Sequence, residues 1–373
     1  MVANPFKPTA GADPPLLVGR QELIDEFTES IDDGPGAPLR LAFFTGPRGV
    51  GKTVLLNALG ESIQTTHQWR VLHETATAGF LQRLTAAATR ELNQTPKRYV
   101  TGVTLPSVMG TGGGGVQLST PASQAADDYR QVMGHLLDQC EPHDTGILIT
   151  LDEVHAEHTP ELIQFAAAHQ HLIREGRQVA LSMAGLPDAI DELLTEAQVT
   201  FLRRAERRHL GDVALQEVAT AFRDTIEDNG RTIADDALDR ITAATGGYPF
   251  MIQLVGYQVW RKATSDHIDL NAARNGIEQA RTRLGSLVHA PALRDLSDVD
   301  RTFLAAMAVD DGPTKTADLA QRMKKEPGYV GVYRARLLAA GMIESVAFGL
   351  VDFAIPYLRD YLREHVVTQA PTR

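Results

Sequence analysis

A glycine-rich loop at residues 46–53 constrains the fold of this chain more than any other feature. The loop reads Gly-Pro-Arg-Gly-Val-Gly-Lys-Thr, follows a short apolar run at 40–45 and precedes a helical pattern at 53–64. Glycines leave room for backbone N–H groups to curve around phosphate oxygens, and the positive end of the following helix points at the same oxygens. A strand, this loop and a helix in that order predict a phosphate-binding site.

The residues of the loop have separate expected tasks. Lys52 should reach the β- and γ-phosphates of a nucleotide, and the Thr53 hydroxyl should bind Mg²⁺. The alternative is a glycine-rich turn with an unrelated lysine, which would require the strand, the helix and the acidic motif described next to coincide by chance. The residues expected to surround the nucleotide are Gly46, Pro47, Arg48, Gly49, Val50, Gly51, Lys52, Thr53 and Val54.

A second motif is an apolar run that ends in two acids, Ile-Leu-Ile-Thr-Leu-Asp-Glu at 147–153, and it has the composition of a Walker B strand. Asp152 would hold Mg²⁺, directly or through water, and Glu153 would orient and polarise the attacking water. The alternative is a strand end with two solvated carboxylates. Because no Asn/Thr-Lys-x-Asp guanine-reading motif occurs, ATP is expected rather than GTP.

Histidines after these acids admit other interpretations. Residues 152–155 also spell the D-E-x-H of some helicases, but those enzymes need a second RecA-like domain, which the helical stretch after Val213 cannot supply. Four histidines could be metal ligands, but neither cysteine nor a further acidic cluster accompanies them, so solvated helical histidines are expected. These are His155, His158, His169 and His171.

The order of apolar runs predicts an α/β fold. Runs at 40–45, 70–74, 146–151 and 178–183 alternate with helical patterns, which favours a parallel sheet covered on both faces. Four consecutive glycines at 112–115 suggest a hairpin tip or a mobile loop, and no Lys-Ser/Thr follows them to favour phosphate binding. Expected units are a flexible segment at 1–16, a P-loop ATPase domain at 17–210, an all-α lid at 211–290 and a C-terminal unit at 291–373.

Composition narrows the classes of function. The net charge is −11, which argues against a protein that coats nucleic acid nonspecifically. No stretch is apolar and long enough to span a membrane, and the N-terminus lacks the pattern of a secretory signal. The only cysteine, Cys140, excludes an intramolecular disulfide and a cysteine-based zinc site, so a cytoplasmic location is expected.

The C-terminal unit has the pattern of a winged helix-turn-helix. Helical patterns at 300–307, 316–323 and 329–340 precede a two-stranded pattern at 342–353, and a last helix is expected at 356–365. The segment 315–336 holds six basic residues against two acidic ones, which fits a helix in a DNA major groove. The candidate DNA contacts are Tyr333, Arg334, Arg336 and Lys315. The alternative is that this unit contacts another protein or inhibits the ATPase of its own chain, because the wing carries no basic residue.

Taken in order, these motifs resemble the AAA+/STAND-type ATPases, and most closely the bacterial ATPases with an Orc1-like AAA domain. Residues 18–22, Val-Gly-Arg-Gln-Glu, look like the family's V-G-R-x-E box, and Gly-Tyr-Pro at 247–249 matches the G-x-P of the STAND-like lid. The segment 201–210 falls where the family carries its arginine finger, although a solvated arginine-rich helix end is an equal alternative. The resemblance covers residues 15–365 and implies the ASCE/AAA+ type of P-loop NTPase fold.

The resemblance also implies roles for single residues. Gly19 and Arg20 would frame the adenine pocket. Pro249, also expected to contact the nucleotide, stands in place of the sensor 2 arginine pattern of replication initiators. Ser182 would be the polar sensor 1 residue at the end of the fourth strand. Either Arg208 or Arg204 would reach the γ-phosphate of a neighbouring subunit, which requires at least a dimer.

Two functions therefore remain open at the level of sequence. The first is a Mg²⁺-dependent ATPase that acts as a nucleotide-driven switch and contacts double-stranded DNA through the winged helix. The second is a STAND-type signalling ATPase that gates a protein partner without binding DNA. ATP and Mg²⁺ are the expected cofactors of both.

Overall fold

The structure is a computed structural model, and it describes residues 3–9, 18–94, 121–155, 159–294 and 296–365. The glycine run at 112–115 and His158 lie outside these residues. No helix of the described ranges combines the length and the apolarity that crossing a membrane requires.

A five-stranded parallel sheet forms the centre of the first unit, with strand order β2-β3-β4-β1-β5. This confirms the predicted parallel sheet, and β4 separates the strand before the glycine-rich loop from the strand that carries the acids. The strands are β1 (Leu41–Thr45), β2 (Arg70–Thr75), β3 (Ile147–Val154), β4 (Val179–Gly185) and β5 (Glu206–His209).

Helices cover both faces of this sheet because neighbouring residues of each strand point to opposite sides. Phe43 packs in a core with α3, α4, α5 and α6, whereas Ala42 and Phe44 pack in a second core with α1 and α2. The helices are α1 (Gln21–Asp32), α2 (Lys52–His67), α3 (Phe80–Gln94), α4 (Pro121–Cys140), α5 (Thr159–Arg174) and α6 (Pro187–Thr195).

The lid follows β5 and has a core of its own, in which Phe222, Ile241 and Val255 are fully buried. Two short strands that the sequence did not predict pair in parallel between its helices. Its elements are α7 (Leu215–Asp228), β6 (Thr232–Ile233), α8 (Asp235–Thr245), α9 (Pro249–Lys262), β7 (His267–Ile268) and α10 (Leu270–Leu284), followed by a π-helical turn (Gly285–His289) and α11 (Ala290–Arg294).

The N-terminal segment is anchored to the lid, so the expectation of a flexible segment is wrong for residues 3–9. Phe6 is 3% exposed and lies against Phe222, with 5.8 Å between the ring centroids. A Cβ atom on Gly256 would lie 2.4 Å from the Phe6 ring, so the glycine makes space for it. Asn4 Nδ2 donates a hydrogen bond to the carbonyl oxygen of Tyr257.

The C-terminal unit has the predicted order of three helices, a two-stranded hairpin and a last helix. A short additional strand joins the hairpin, so the small antiparallel sheet has the order β8-β10-β9. The elements are α12 (Asp298–Met307), β8 (Thr314–Lys315), α13 (Thr316–Met323), α14 (Pro327–Ala339), β9 (Ile343–Ala347), β10 (Leu350–Phe353) and α15 (Leu358–His365).

Candidate nucleotide-binding site

The glycine-rich loop connects the carboxyl end of β1 to the amino end of α2, which begins at Lys52. Gly49 and Gly51 have φ angles of +79° and +89°, a region that other residues rarely adopt. These turns bring the loop back over the first turn of α2, whose N–H groups have no partner within the helix. The loop therefore has the shape of an anion-binding cradle.

Lys52 lies inside this cradle. Its Nζ donates hydrogen bonds to the carbonyl oxygens of Gly46 and Pro47, each 2.8 Å away. Burial lowers the pKa of Lys52, although the charges of Glu153 and Asp152 act in the opposite direction. A phosphate group would offer this half-buried ammonium group a charged partner in place of two carbonyls, and charged hydrogen bonds are the stronger kind.

Thr53 and Asp152 meet across the site. The Thr53 hydroxyl donates to Asp152 Oδ2 over 2.5 Å, and Asp152 Oδ1 accepts a hydrogen bond from the backbone N–H of Glu153. One hydroxyl and one carboxylate at this distance are oxygen donors of the kind that Mg²⁺ takes beside the phosphates of its substrate. The pair therefore fits the predicted metal ligands.

Glu153 occupies a strained backbone position next to the site, with a φ angle of +54°. The pairing of β3 with β4 shifts register between Leu151 and Val154, which frees this residue from the regular ladder. His155 Nε2 lies 3.0 Å from Glu153 Oε2. The hydrogen bond from His155 holds the pKa of the Glu153 carboxyl below its usual value, and the charges of His155, Lys52 and Arg48 act in the same direction.

His155 is a site residue whose sequence context indicates only a metal ligand or part of a helicase motif. It lies directly after β3 and contacts the acid that is expected to activate water. His169 is also misjudged as solvated, because it is fully buried, with its Nδ1 3.0 Å from the carbonyl oxygen of Phe165.

Tyr248, which no sequence pattern marks as a site residue, connects the lid to the loop. Its hydroxyl donates a hydrogen bond to the carbonyl oxygen of Arg48 over 3.1 Å, and a Cβ atom on Gly49 would lie 2.0 Å from the same hydroxyl oxygen. Burial raises the pKa of Tyr248, so the phenol stays protonated. Pro249, the predicted contact, is the first residue of α9. The signal for Tyr248 was its place between Gly247 and Pro249.

Gly19 and Arg20 lie at the connection between the ATPase unit and the lid. A guanidinium nitrogen of Arg20 donates to the carbonyl oxygen of Gly211 over 2.5 Å, and burial lowers the pKa of this guanidinium. A Cβ atom on Gly19 would lie 2.6 Å from a methyl group of Val213. The predicted adenine box is therefore packed against the start of the lid.

Residues 16–182 match the family model described as AAA ATPase domain. This stretch, which holds the glycine-rich loop and the two acids of β3, is therefore similar to an AAA ATPase domain. Residues 286–362 match a second model, described as a domain of unknown function, DUF8462. No curated protein matches the chain.

One solved structure similar to this chain is a Walker-type ATPase of Pyrococcus abyssi. It is 13% identical, with a TM-score of 0.66 over 93% of this chain and 96% of that one, and it shows the P-loop NTPase fold. Aeropyrum pernix Orc1 in complex with DNA is 15% identical, with a TM-score of 0.48 over 96% and 95% of the two chains. Cdc6p of Pyrobaculum aerophilum is 14% identical, with a TM-score of 0.47 over 98% of each.

The expectation that Ser182 ends the fourth strand is wrong. The fourth strand ends at Gly185, and Ser182 pairs with Ala42 in the middle of the sheet, whereas Gly185 pairs with Thr45 beside the loop. Three residues of strand place Ser182 about 10 Å below the carboxyl edge, where the nucleotide would bind. Its side chain is fully buried, and its hydroxyl has no hydrogen-bond partner among the described residues.

Arg208 and Arg204 differ in their ion-pair partners among the described residues. Arg208 belongs to β5, a strand that the sequence analysis missed, and pairs with Glu26 at 2.7 Å and with Glu206 at 3.4 Å. Arg204 is exposed, ends a short 3-10 turn before β5, and has no ion-pair partner in the described part of the chain. Because β5 runs parallel to β1 and begins at Glu206, Arg204 lies at the amino edge of the sheet, opposite the glycine-rich loop.

The predicted DNA contacts are partly engaged within the C-terminal unit. Arg334 donates to the Ser345 hydroxyl over 3.0 Å, and Arg336 pairs with the buried carboxylate of Asp300 at 3.1 Å. The guanidinium carbon of Arg336 lies 5.4 Å from the ring centroid of Tyr333. Lys315 ends the short strand β8 and is exposed. The structure therefore places three of the four on α14, and both arginines there have partners.

Proposed function

We propose that the chain is a Mg²⁺-dependent ATPase that works as a nucleotide-driven switch. The observation that carries this proposal is the contact of Thr53 with Asp152, beside the Lys52 ammonium group inside the loop. These groups match what ATP and its Mg²⁺ require from a protein, namely a cation for the phosphates and two oxygen ligands for the metal. The AAA ATPase domain found at residues 16–182 supports the same activity.

The mechanism that this geometry supports uses four side chains. Lys52 would neutralise charge on the β- and γ-phosphates, and Thr53 and Asp152 would hold Mg²⁺, which withdraws charge from the phosphate oxygens. Glu153 would orient a water molecule for in-line attack. The hydrogen bond from His155 favours the ionised carboxylate of Glu153, which is the form that can accept a proton from water.

A path from the nucleotide site to the rest of the chain supports the switch. Arg48 accepts a hydrogen bond from Tyr248 of the lid and also lines a cavity of about 600 Å³ with residues of the C-terminal unit, among them Arg336 and Met342. A Cβ atom on Gly341 would lie 2.8 Å from Leu186, which directly follows β4. A change in the loop would therefore reach both the lid and the C-terminal unit.

We infer that the C-terminal unit is a winged helix and that its first candidate partner is double-stranded DNA. Three helices and a hairpin in this order are the elements of that motif. Lys315, Lys324 and Lys325 are basic, and Lys315 is exposed beside the hairpin. Lysines around a helix serve as phosphate contacts, which give affinity that falls with salt.

A second candidate is a protein partner, and the exposed face of α14 favours it. This face carries Gly331, Val332 and Ala335, none of which can hydrogen-bond to base edges through its side chain. Val332 is 59% exposed, and Phe348 at the tip of the hairpin is fully exposed. Apolar side chains in these positions suit a protein contact.

One experiment separates the two candidates. ATP turnover is measured with and without a short DNA duplex at low salt, over a range of protein concentrations, with Lys52→Ala as the control. Stimulation of the wild-type chain alone would support the DNA-acting switch. Turnover without any response to DNA would favour the protein-gating switch, and no turnover in any condition would contradict the ATPase itself.

A further inference from the structure

A cavity of about 960 Å³ lies between the lid and the C-terminal unit. Helices α8 and α10 and the turn at Gly285–His289 form one wall, and α15 with the residues before it forms the other. The size lies at the upper end of the range for small-molecule sites, roughly 300–1,000 Å³. Among the described residues that line it, none comes from the loop at 46–53.

Three arginines on the lid wall distinguish this cavity from an ordinary cleft. Arg240 belongs to α8, and Arg274 and Arg281 belong to α10, which packs against α8. Within the described ranges, none of the three guanidinium groups has a hydrogen-bond or ion-pair partner. Because arginine stays charged at any physiological pH, this wall carries three exposed positive charges, with Glu278 as the acid on the same wall.

The spacing of these arginines suits an anion with more than one charge. Arg274 and Arg281 are two helical turns apart on one face of α10, or about 11 Å along its axis, and their long side chains can converge. Glu278 lies between them, and Asp360 and Glu364 belong to α15 on the opposite wall. An anion would therefore bind at the lid wall, where arginines outnumber carboxylates.

His289 adds a second kind of contact to the same cavity. It is 2% exposed, and its Nε2 lies 2.9 Å from the carbonyl oxygen of Pro356, so Nε2 carries the proton and Nδ1 is left as an acceptor. In the described part of the chain, Nδ1 has no hydrogen-bond partner. The ring of Tyr361 lies beside it, with 5.0 Å between centroids. Nδ1 is shielded from solvent in this arrangement, so a ligand hydroxyl group reaches it when a neighbouring side chain moves aside.

Two hydrogen bonds connect the walls of the cavity. The Tyr357 hydroxyl donates to the carbonyl oxygen of Ala244 at the end of α8, over 3.0 Å, and His289 holds Pro356 as described. Tyr357 also has a φ angle of +63°, a conformation that costs free energy outside glycine. A ligand here would contact the lid and the C-terminal unit at once, and so would stabilise one arrangement of the two.

We propose that this cavity is a second ligand site, which binds a small phosphorylated compound with a hydroxyl group, of the sugar-phosphate or nucleotide type. The arginines on α8 and α10 contact the phosphate, and His289 accepts a hydrogen bond from the hydroxyl. Binding at this site is independent of the loop at 46–53, and it biases the position of the C-terminal unit.

Calorimetric titration of the Lys52→Ala chain tests this site, because the loop then contributes little. The probes are inorganic pyrophosphate and ribose 5-phosphate. In the double variant Arg274→Ala/Arg281→Ala, affinity for both probes is expected to fall at least about tenfold. Arg283→Ala is the matched control, since this exposed arginine of α10 does not line the cavity, and it should bind like the parent.

A third variant separates the two kinds of contact. His289→Phe is expected to weaken ribose 5-phosphate and to leave pyrophosphate unchanged, and circular dichroism checks that it is folded. Absence of binding to either probe, or equal binding by the double variant and the parent, would overturn the proposal. Binding of a DNA duplex alone, lost in the double variant, would overturn it in favour of a nucleic-acid surface. None of these readouts depends on ATP turnover.

Discussion

The hydroxyl of Tyr248 donates a hydrogen bond to the carbonyl oxygen of Arg48, 3.1 Å away, across 200 residues of sequence. Through this hydrogen bond the lid touches the backbone of the phosphate-binding loop. The same ring occupies the space that a side chain on Gly49 would need. The shape of the loop and the position of α9 are therefore coupled, and this coupling can be measured.

Removing only the Tyr248 hydroxyl should uncouple the lid at small cost. Tyr248→Phe loses one hydrogen bond, worth about 1 kcal/mol of unfolding free energy, and keeps the buried ring. Tyr248→Ala also loses the ring, at about 3–5 kcal/mol. We expect ATP to raise the midpoint of urea unfolding less in Tyr248→Phe than in the wild-type chain. An unchanged ATP-dependent shift would show that this hydrogen bond does not transmit loop occupancy.

Gly49→Ala should lower both the nucleotide affinity and the stability of the chain. The added Cβ atom would lie 2.0 Å from the Tyr248 hydroxyl oxygen, at a backbone position with a φ angle of +79°. The loop and the lid must move apart, so nucleotide affinity should fall along with stability. Gly134→Ala is the control, because nothing lies within 4 Å of a Cβ atom there. Wild-type affinity in Gly49→Ala would contradict the close packing of loop and lid.

Glu153→Gln should bind ATP and hydrolyse it slowly. The amide keeps the size of the side chain and loses the ability to accept a proton, so turnover should fall by about 10²–10⁴. Equilibrium binding of a fluorescent ATP analogue, measured beside phosphate release, separates the two effects. Phosphate release at the wild-type rate would remove Glu153 from the chemical step, whatever its contact with His155.

Substitutions of Arg204 and of Arg208 should have different effects on ATP turnover, and mixing two variants tests whether Arg204 acts on a neighbouring subunit. Arg204→Ala should lose turnover, because an arginine finger contributes about 10³–10⁵ to the rate, whereas Arg208→Ala should lose its pairing with Glu26 and some stability. Mixing Arg204→Ala with Lys52→Ala should restore part of the activity if one subunit supplies the arginine and the other the loop. Wild-type turnover by Arg204→Ala alone would contradict a finger at this position, and a mixture no more active than two inactive components would contradict its action on a neighbouring subunit.

Acid should destabilise the ATPase domain through His169. Burial lowers the pKa of His169 to about 4 from 6.5, so the folded state disfavours its charged form. The stabilisation is complete above pH 6.5 and is lost as the pH falls towards 4, by about 3 kcal/mol in total. His169→Gln does not titrate, so its free energy of unfolding should fall less between pH 7 and pH 4.5. Parallel losses in both proteins would contradict this assignment.

The central strands and the loop could be predicted because their signals are local. β1, β3 and β4 are continuous apolar runs, and the loop residues follow β1 directly. β5 was missed because Glu-Arg-Arg-His at 206–209 alternates between half-buried and exposed side chains at the edge of the sheet and carries no apolar residue. A charged edge strand has the composition of a solvated helix end.

The other differences between prediction and structure concern the position of Ser182 along its strand and contacts between residues far apart in sequence. Ser182 was placed at the carboxyl edge because the apolar run stops near Met183, but small residues carry β4 on to Gly185. The partners of Tyr248 and Arg336 lie far away in sequence, at Arg48 and Asp300. No periodicity encodes such pairs, because they arise only when the lid and the C-terminal unit pack.

The most direct test of the ATPase proposal compares ATP binding and phosphate release by the wild-type chain and by Lys52→Ala, with Lys262→Ala as a matched loss of an exposed lysine. The wild-type chain and Lys262→Ala should bind ATP with Mg²⁺ and release phosphate, and Lys52→Ala should do neither to a comparable degree, because the phosphates lose their buried cation. Binding and phosphate release by Lys52→Ala at the wild-type level would contradict the site.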